Sequence, residues 1–213
     1  MINFTTVKKY KKRDAANWGS KGKLYISVVA KTGCDRQLRF MFDGISKDAD
    51  FFVWDGLEND IGIKIHDTLQ KIFLIEGELK EVEVPIVFEV DEKFKMRMKI
   101  DGLTKDGDIW ELKTIGVKDK GLTEPMSDHV VQLNFYLGVL GKEIGYLDYV
   151  LRDNGKLLQQ FTVQYDPQLF ESTVAKILNI LMVDLSDLVK DKSDCNFCQY
   201  KSECKKLDKE TKE

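Results

Sequence analysis

The chain has 213 residues, enough to bury one substantial core, and its 43% apolar content in patterned segments excludes a disordered polypeptide. Lys and Arg number 33 against 36 Asp and Glu, so no global cationic field exists to coat nucleic acid, although a local basic groove stays compatible. No apolar run reaches the span of a bilayer and no signal-peptide apolar region opens the chain, so a cytoplasmic protein is expected.

Residues 1–23 carry the basic run Lys8-Lys9-Tyr10-Lys11-Lys12-Arg13, which reads as a solvated face or, more sharply, as an arm that contacts phosphates. Ser27 is the candidate N-cap of a helix over 28–42, with Val28, Leu38 and Phe42 as its apolar stripe and Cys34 beside Arg36 and Arg39. Acidic residues then crowd 43–60 (Asp43, Asp48, Asp50, Asp55, Glu58, Asp60), and the sequence assigns them no role. An amphipathic helix is predicted over 62–73, with Ile65, Leu69, Ile72 and Phe73 on one side and His66 beside them. A lone histidine in such a place is more often structural than a ligand. Residues 81–90 alternate as a strand, and Pro85 marks it as an edge or a bulge.

The centre of the chain is a hairpin, 94–114, turning at Asp106-Gly107. Asp101 lies on its first strand. Glu111 and Lys113 are two apart on the second and share a face, while Leu112 points to a core. Two carboxylates and an ammonium on one face can hold a divalent cation and a water before a phosphodiester. The same triplet also occurs by chance on solvated strands, so it does not decide the matter alone. Parity sharpens the expectation, because directly opposed residues in an antiparallel pair share a face. A two-residue loop would set Asp101 opposite Leu112 and forbid a shared site. A three-residue loop, Lys105-Asp106-Gly107, sets Thr104 opposite Asp108 and Asp101 opposite Glu111, with Gly107 at positive φ. The odd connection is the prediction, with the carboxylates of Asp101 and Glu111 converging on one ion.

Beyond the hairpin, 118–127 reads as a loop and 128–140 as a helix carrying Val131, Phe135 and Leu140. Gln132 and Tyr136 are four apart on it and share one face. Strands are predicted at 145–153 and 157–165 around Asn154-Gly155, and a long amphipathic helix at 169–188. The charged tail after Cys204 is expected to fray. Cys195 and Cys198 form a C-x2-C pair followed by Cys204, with Cys34 far upstream, which is metal-ligand spacing in a chain with little use for disulfides. Four thiolates suit Zn2+ or an iron–sulfur cluster, and recruiting Cys34 would tie the C-terminus to the N-terminal helix.

Taken in order, these motifs resemble the iron–sulfur, RecB-like branch of the PD-(D/E)XK nuclease superfamily. That branch includes CRISPR-associated RecB-like exonucleases, phage exonucleases and AddB-type nuclease domains. The resemblance implies an α/β (α+β), restriction-endonuclease-like mixed central sheet flanked by helices, as one domain over 1–213. Its nuclease core is 24–190, and the cysteine segment 191–206 forms a C-terminal iron–sulfur extension tied to the N-terminal helix. It also implies that His66, Asp101, Glu111 and the Leu112 backbone carbonyl hold Mg2+ or Mn2+, that Asp101, Glu111 and Lys113 are catalytic, and that Gln132 and Tyr136 contact DNA. Cys34, Cys195, Cys198 and Cys204 would bind a 4Fe–4S cluster. The implied activity is a metal-dependent DNA exonuclease at single-stranded or duplex ends, in CRISPR spacer acquisition or in phage recombination and repair. The setting would be a prokaryotic or phage-infected cell, with a CRISPR integrase or helicase and recombination proteins as partners and no membrane. A non-catalytic DNA-end-binding module is the alternative, although the intact His66, Asp101, Glu111 and Lys113 argue against it. A zinc-stabilised interaction domain would leave the hairpin unexplained. Two departures stand: Ile100 replaces the usual proline before Asp101, and no phosphate loop of a helicase motor is present.

Overall fold

A computed structural model describes residues 24–48, 55–89, 95–191, 195–196 and 198–210. The basic run at 8–13 and Asp50 lie outside the described residues. Five strands form one sheet in chain order: β1 (Leu79–Glu89), β2 (Lys95–Thr104), β3 (Ile109–Ile115), β4 (Ile144–Leu151) and β5 (Leu157–Gln164). Neighbours are antiparallel except β3 and β4, which run parallel. A parallel pair needs a long crossover, and here the helix Ser127–Leu140 supplies it. Helices flank the sheet, which gives the restriction-endonuclease-like architecture expected from the sequence.

The N-terminal segment departs from the expected single helix. It forms two, α1 (Ile26–Lys31) and α2 (Asp35–Asp43), broken at Thr32-Gly33-Cys34. Tyr25 stands at the first N-cap without a side-chain bond, and Ser27 lies inside the helix. The break has a cause: a Cβ at Gly33 would sit 2.7 Å from Asp191 Oδ2, so the chain passes close against the C-terminal segment there. The next helix, α3, is longer than expected, Asp55–Ile75. Ile65, Leu69 and Phe73 pack with Leu79, Trp110, Leu112 and Val150 on one side of the sheet. Ile72 does not join them and is 40% exposed; Gln70, only 2% exposed, completes the buried face instead.

On the other side of the sheet, α1, α4 (Ser127–Leu140) and α5 (Pro167–Met182) enclose the main core, which includes Val29, Leu133, Phe135, Ile177, Ile100, Ile109 and Leu147. The predicted helix over 169–188 begins earlier and stops earlier than its periodicity suggests. Asp166 caps its start, accepting from the Gln168 and Leu169 amides at 2.8 and 3.1 Å, with Pro167 in the first turn. At its end the Arg39 guanidinium takes the carbonyls of Ile180 and Val183 at 3.0 and 3.1 Å, ending the run near Val183. The β4–β5 turn follows expectation, with Gly155 at φ 68° and the Lys156 amide donating to Asn154 Oδ1 at 3.0 Å. Pro85 does lie on an edge strand, β1.

Over its described residues, to 210, the tail does not fray. It forms α6 (Lys201–Glu210), held by Phe40 stacked on Tyr200 and by Asp208, which pairs with Lys190 and with Arg36 at 2.6 Å. Two acidic residues of the unassigned segment gain structural roles. Asp43 accepts from Arg39 Nε at 2.9 Å, and Asp48 Oδ2 accepts from the Ser202 amide at 3.0 Å. No helix among the described residues is long and apolar enough to cross a membrane.

Candidate active site

The hairpin adopts the odd register. Leu103 pairs with Ile109 and Gly102 with Trp110, the Thr104 amide donates to the Asp108 carbonyl at 2.9 Å, and Gly107 has φ 87°. The connection is therefore Lys105-Asp106-Gly107, and Asp101 stands level with Glu111. The ladder between β2 and β3 stops there. Asp101 fills the gap with its own carboxylate, whose Oδ2 accepts the Leu112 amide at 2.9 Å.

The β1 side of Asp101 is also irregular. Val82 packs on the α3 side of the sheet, whereas Val84 belongs to the main core, so the ribbon rolls at Glu83. Glu83 has φ 53°, a left-handed conformation unusual for a non-glycine residue. The Asp101 carbonyl is taken by the buried side chain of Gln70, whose Nε2 donates at 3.0 Å and also reaches Glu83 Oε1 at 3.0 Å. From the same helix, His66 Nδ1 stands 3.5 Å from Asp101 Oδ2. His66 and Gln70 are four apart, a helical spacing that would have flagged Gln70 had the apolar stripe been drawn one residue round.

Glu111 and Lys113 meet α4 across the cleft. Lys113 Nζ donates to Glu111 Oε1 and to Gln132 Oε1, both at 2.8 Å. Gln132 Nε2 returns a bond to Glu111 Oε1 at 2.8 Å and another to the Tyr136 hydroxyl at 2.9 Å. That hydroxyl donates to the Lys99 carbonyl at 3.4 Å. The i, i+4 pair expected on this helix is thus spent on the carboxylate and the ammonium. One atom is left over: Glu111 Oε2 is buried without a hydrogen-bond partner. Burial first, and the Asp101 carboxylate second, push Glu111 up to about 7, against the pull of Lys113. Burial opposes the Lys113 charge, but Glu111 and Asp101 outweigh it and keep the ammonium. Tyr136 is held neutral by burial and by the nearby Glu111 charge.

A cleft of about 450 Å3 is lined by His66, Lys99, Asp101, Glu111, Lys113, Gln132 and Tyr136 among others, so the side chains singled out in the sequence share one space. Leu112 lies within this segment, its amide on Asp101 and its side chain in the α3 core. Sequence reasoning missed Gln70, Glu83 and Lys99, and it missed His129, whose Nδ1 lies 2.8 Å from the Tyr149 hydroxyl. That hydroxyl also accepts the Met126 amide at 3.0 Å. Burial and the Lys113 charge lower His129 to about 4.

The donor set suits a divalent cation, because a buried carboxylate oxygen with no proton donor is costly unless a cation meets it. Among the described residues, no group of three or more His, Cys, Asp and Glu is gathered to hold an ion as the side chains stand. The four free cysteines line a separate cavity of about 80 Å3 with Arg36, Gln37, Phe40, Lys190, Lys201 and Lys205. There the Tyr200 amide donates to Cys198 Sγ at 3.5 Å and Arg36 Nη1 approaches Cys204 Sγ at 4.0 Å. Burial raises the Cys198 thiol, and the neighbouring Cys34, Cys204 and Cys195 add to it.

No protein-family model matches the chain, and no curated protein matches it. Solved structures do. The chain superposes on the crystal structure of SSO0001 with a TM-score of 0.61 at 18% identity, covering 89% of each chain. It superposes on LHK-Exo, an alkaline exonuclease from Laribacter hongkongensis, with a TM-score of 0.52 at 14% identity, covering 75% of this chain and 86% of that one. The complex of that exonuclease with dAMP gives 0.53 at 13% identity with the same coverage. The chain shares its fold with an alkaline exonuclease. At these identities the likeness is one of fold, and the chemistry rests on the cleft itself.

Proposed function

We propose that this chain is a metal-dependent deoxyribonuclease that removes nucleotides from DNA ends, of the RecB-like iron–sulfur kind. The observation that carries the reading is the orphaned Glu111 Oε2, buried beside Asp101, His66 and a lysine. The fold of an alkaline exonuclease supports it. His66, Asp101, Glu111 and the Leu112 carbonyl would hold Mg2+ or Mn2+, with the imidazole favouring Mn2+ somewhat. The bound cation would polarise a phosphate oxygen and lower the pKa of a water.

The chain's own residues supply the rest. Lys113 presents its ammonium to the attacking water and offsets charge developing on the phosphate. Gln132 clamps Glu111 and Lys113 with one hydrogen bond to each, and Tyr136 fixes the clamp. Gln132 and Tyr136 also border the path of the strand being cut. Asp101 is fixed from two sides, by Gln70 on its carbonyl and by the Leu112 amide on its carboxylate. Positions set this firmly lower the cost of reaching the reactive geometry.

The cysteine cavity would take a 4Fe–4S cluster. Four thiols line it, an amide and a guanidinium reach two of the sulfurs, and lysines stand around to balance a negative cluster. Brown anaerobic protein with matched iron and sulfide supports this, and stoichiometric zinc without iron overturns it. CRISPR spacer acquisition or phage recombination, in a cytoplasmic setting, is the context in which such an enzyme would act.

The test of the activity is an assay on end-labelled single-stranded and duplex DNA with Mg2+ or Mn2+. Glu111→Ala and Lys113→Ala are expected to abolish shortening from the ends. Wild-type activity in Glu111→Ala ends this reading. Metal-independent binding of ends without cleavage by the native chain would favour a DNA-end-binding module.

A further inference from the structure

We propose that Lys99 meets the phosphate backbone of the substrate at the mouth of the cleft, with Glu83 as the counter-charge that aims its ammonium until a phosphate replaces it. The proposal rests on the nuclease reading of the same site and adds a substrate contact to it.

The cleft poses an electrostatic problem for a polyanion. Asp101 and Glu111 line it, and both repel a phosphodiester. Two lysines line it as well, and they are not equivalent. The Lys113 side chain is 17% exposed and donates to Glu111 and Gln132, so it serves the reacting phosphate from inside the cleft and does not reach its mouth. The Lys99 side chain is 54% exposed and pairs with Glu83. Of the two lysines, Lys99 is the exposed one at the mouth, where an incoming strand arrives.

Its surroundings are built to hold it there. The Lys99 carbonyl accepts from the Tyr136 hydroxyl, which ties its backbone to α4. Its head group pairs with Glu83 Oε2, and Glu83 is itself anchored through Oε1 by Gln70, the same amide that holds the Asp101 carbonyl. Glu83 takes a left-handed φ of 53°, alone in this among non-glycine residues of the described structure. Strain of this kind persists where the surroundings over-determine it, and functional sites are where it collects. An exposed ion pair contributes little net free energy. Exchanging Glu83 for a phosphate oxygen is therefore cheap, while the aimed ammonium needs no reordering.

The experiment is fluorescence anisotropy of a labelled single-stranded oligonucleotide, in chelator so that the strand survives, across a series of salt concentrations. Lys99→Gln is expected to weaken binding about three- to tenfold at low salt and to lower the logarithmic salt slope by about 0.7. Lys99→Arg should restore both, Lys99→Glu should weaken binding further, and Glu83→Gln should tighten it while keeping the slope. Each variant is first shown to melt as the wild type does, and Lys99→Arg and Glu83→Gln keep the comparison if one neutral variant misfolds. Native protein that binds and cleaves DNA, with Lys99→Gln matching it in affinity and slope, overturns this inference and leaves the nuclease reading intact. Native protein that neither binds nor cleaves overturns both.

Discussion

Replacing Gln132 by methionine removes the amide that joins the two halves of the site while keeping the side chain's length. Three hydrogen bonds disappear, to Glu111 Oε1 and from Lys113 at 2.8 Å and to the Tyr136 hydroxyl at 2.9 Å. Two of them involve charged partners, each worth about 1.5–3 kcal/mol, and removing a buried amide recovers part of the cost of having desolvated it. The net loss is about 2–4 kcal/mol, and at about 2–4 °C per kcal/mol for a domain of this size the melting temperature should fall by roughly 5–15 °C. Activity should fall more than stability explains. A group that orients a metal-site carboxylate typically contributes about 10–100-fold in metal affinity or rate. Melting by circular dichroism, and single-turnover hydrolysis of end-labelled DNA well below the new transition, measure the two effects separately. A Gln132→Met protein that melts within about 1 °C of wild type and cuts DNA at the same rate would refute the clamp.

Other outcomes follow from contacts away from the clamp. Arg36 is 12% exposed and donates to the carbonyls of Leu188 at 3.1 Å and Ser186 at 2.7 Å and to Asp208 at 2.6 Å. Arg36→Ala should cost about 1.5–3 kcal/mol, since the Leu188 and Ser186 carbonyls lose a charged donor, and should expose the tail to protease; a tail cut no faster than wild type would contradict this. His129 is lowered to about 4 from 6.5, so the folded protein binds fewer protons than the unfolded chain between those values. Its contribution is complete above pH 6.5 and is lost as pH falls towards 4, a change of about 3 kcal/mol. Glu111, raised to about 7, works in the opposite sense. The test is therefore the difference in urea midpoint between wild type and His129→Phe, which should shrink or reverse on acidification; a constant difference would be the contrary result.

Much of the site was legible because it depends on local rules. The parity of the hairpin fixed a three-residue loop, Gly107 took the left-handed conformation that loop requires, and the four-residue spacing of Gln132 and Tyr136 became a hydrogen bond. The parts that escaped depend on contacts between distant residues. Gln70 is unremarkable in its helix, and its role comes from Asp101, 31 positions later. The tail looks soluble and unstructured in composition, yet Asp208 anchors it to Arg36, 172 positions earlier. The helix predicted over 28–42 failed at Gly33 because the C-terminal segment crosses it there. Glu83 gives no signal at all, since nothing in its sequence demands a positive φ.

The central claim is that the orphaned oxygen of Glu111 is a ligand for a divalent cation. Calorimetric titration of the native protein with Mn2+ tests it without reference to any substrate. One bound ion is expected, with affinity reduced at least about 10-fold in Glu111→Gln and in Asp101→Asn, while both variants keep the native circular dichroism spectrum. Undiminished Mn2+ binding by folded Glu111→Gln, or none by the native protein, would contradict the account.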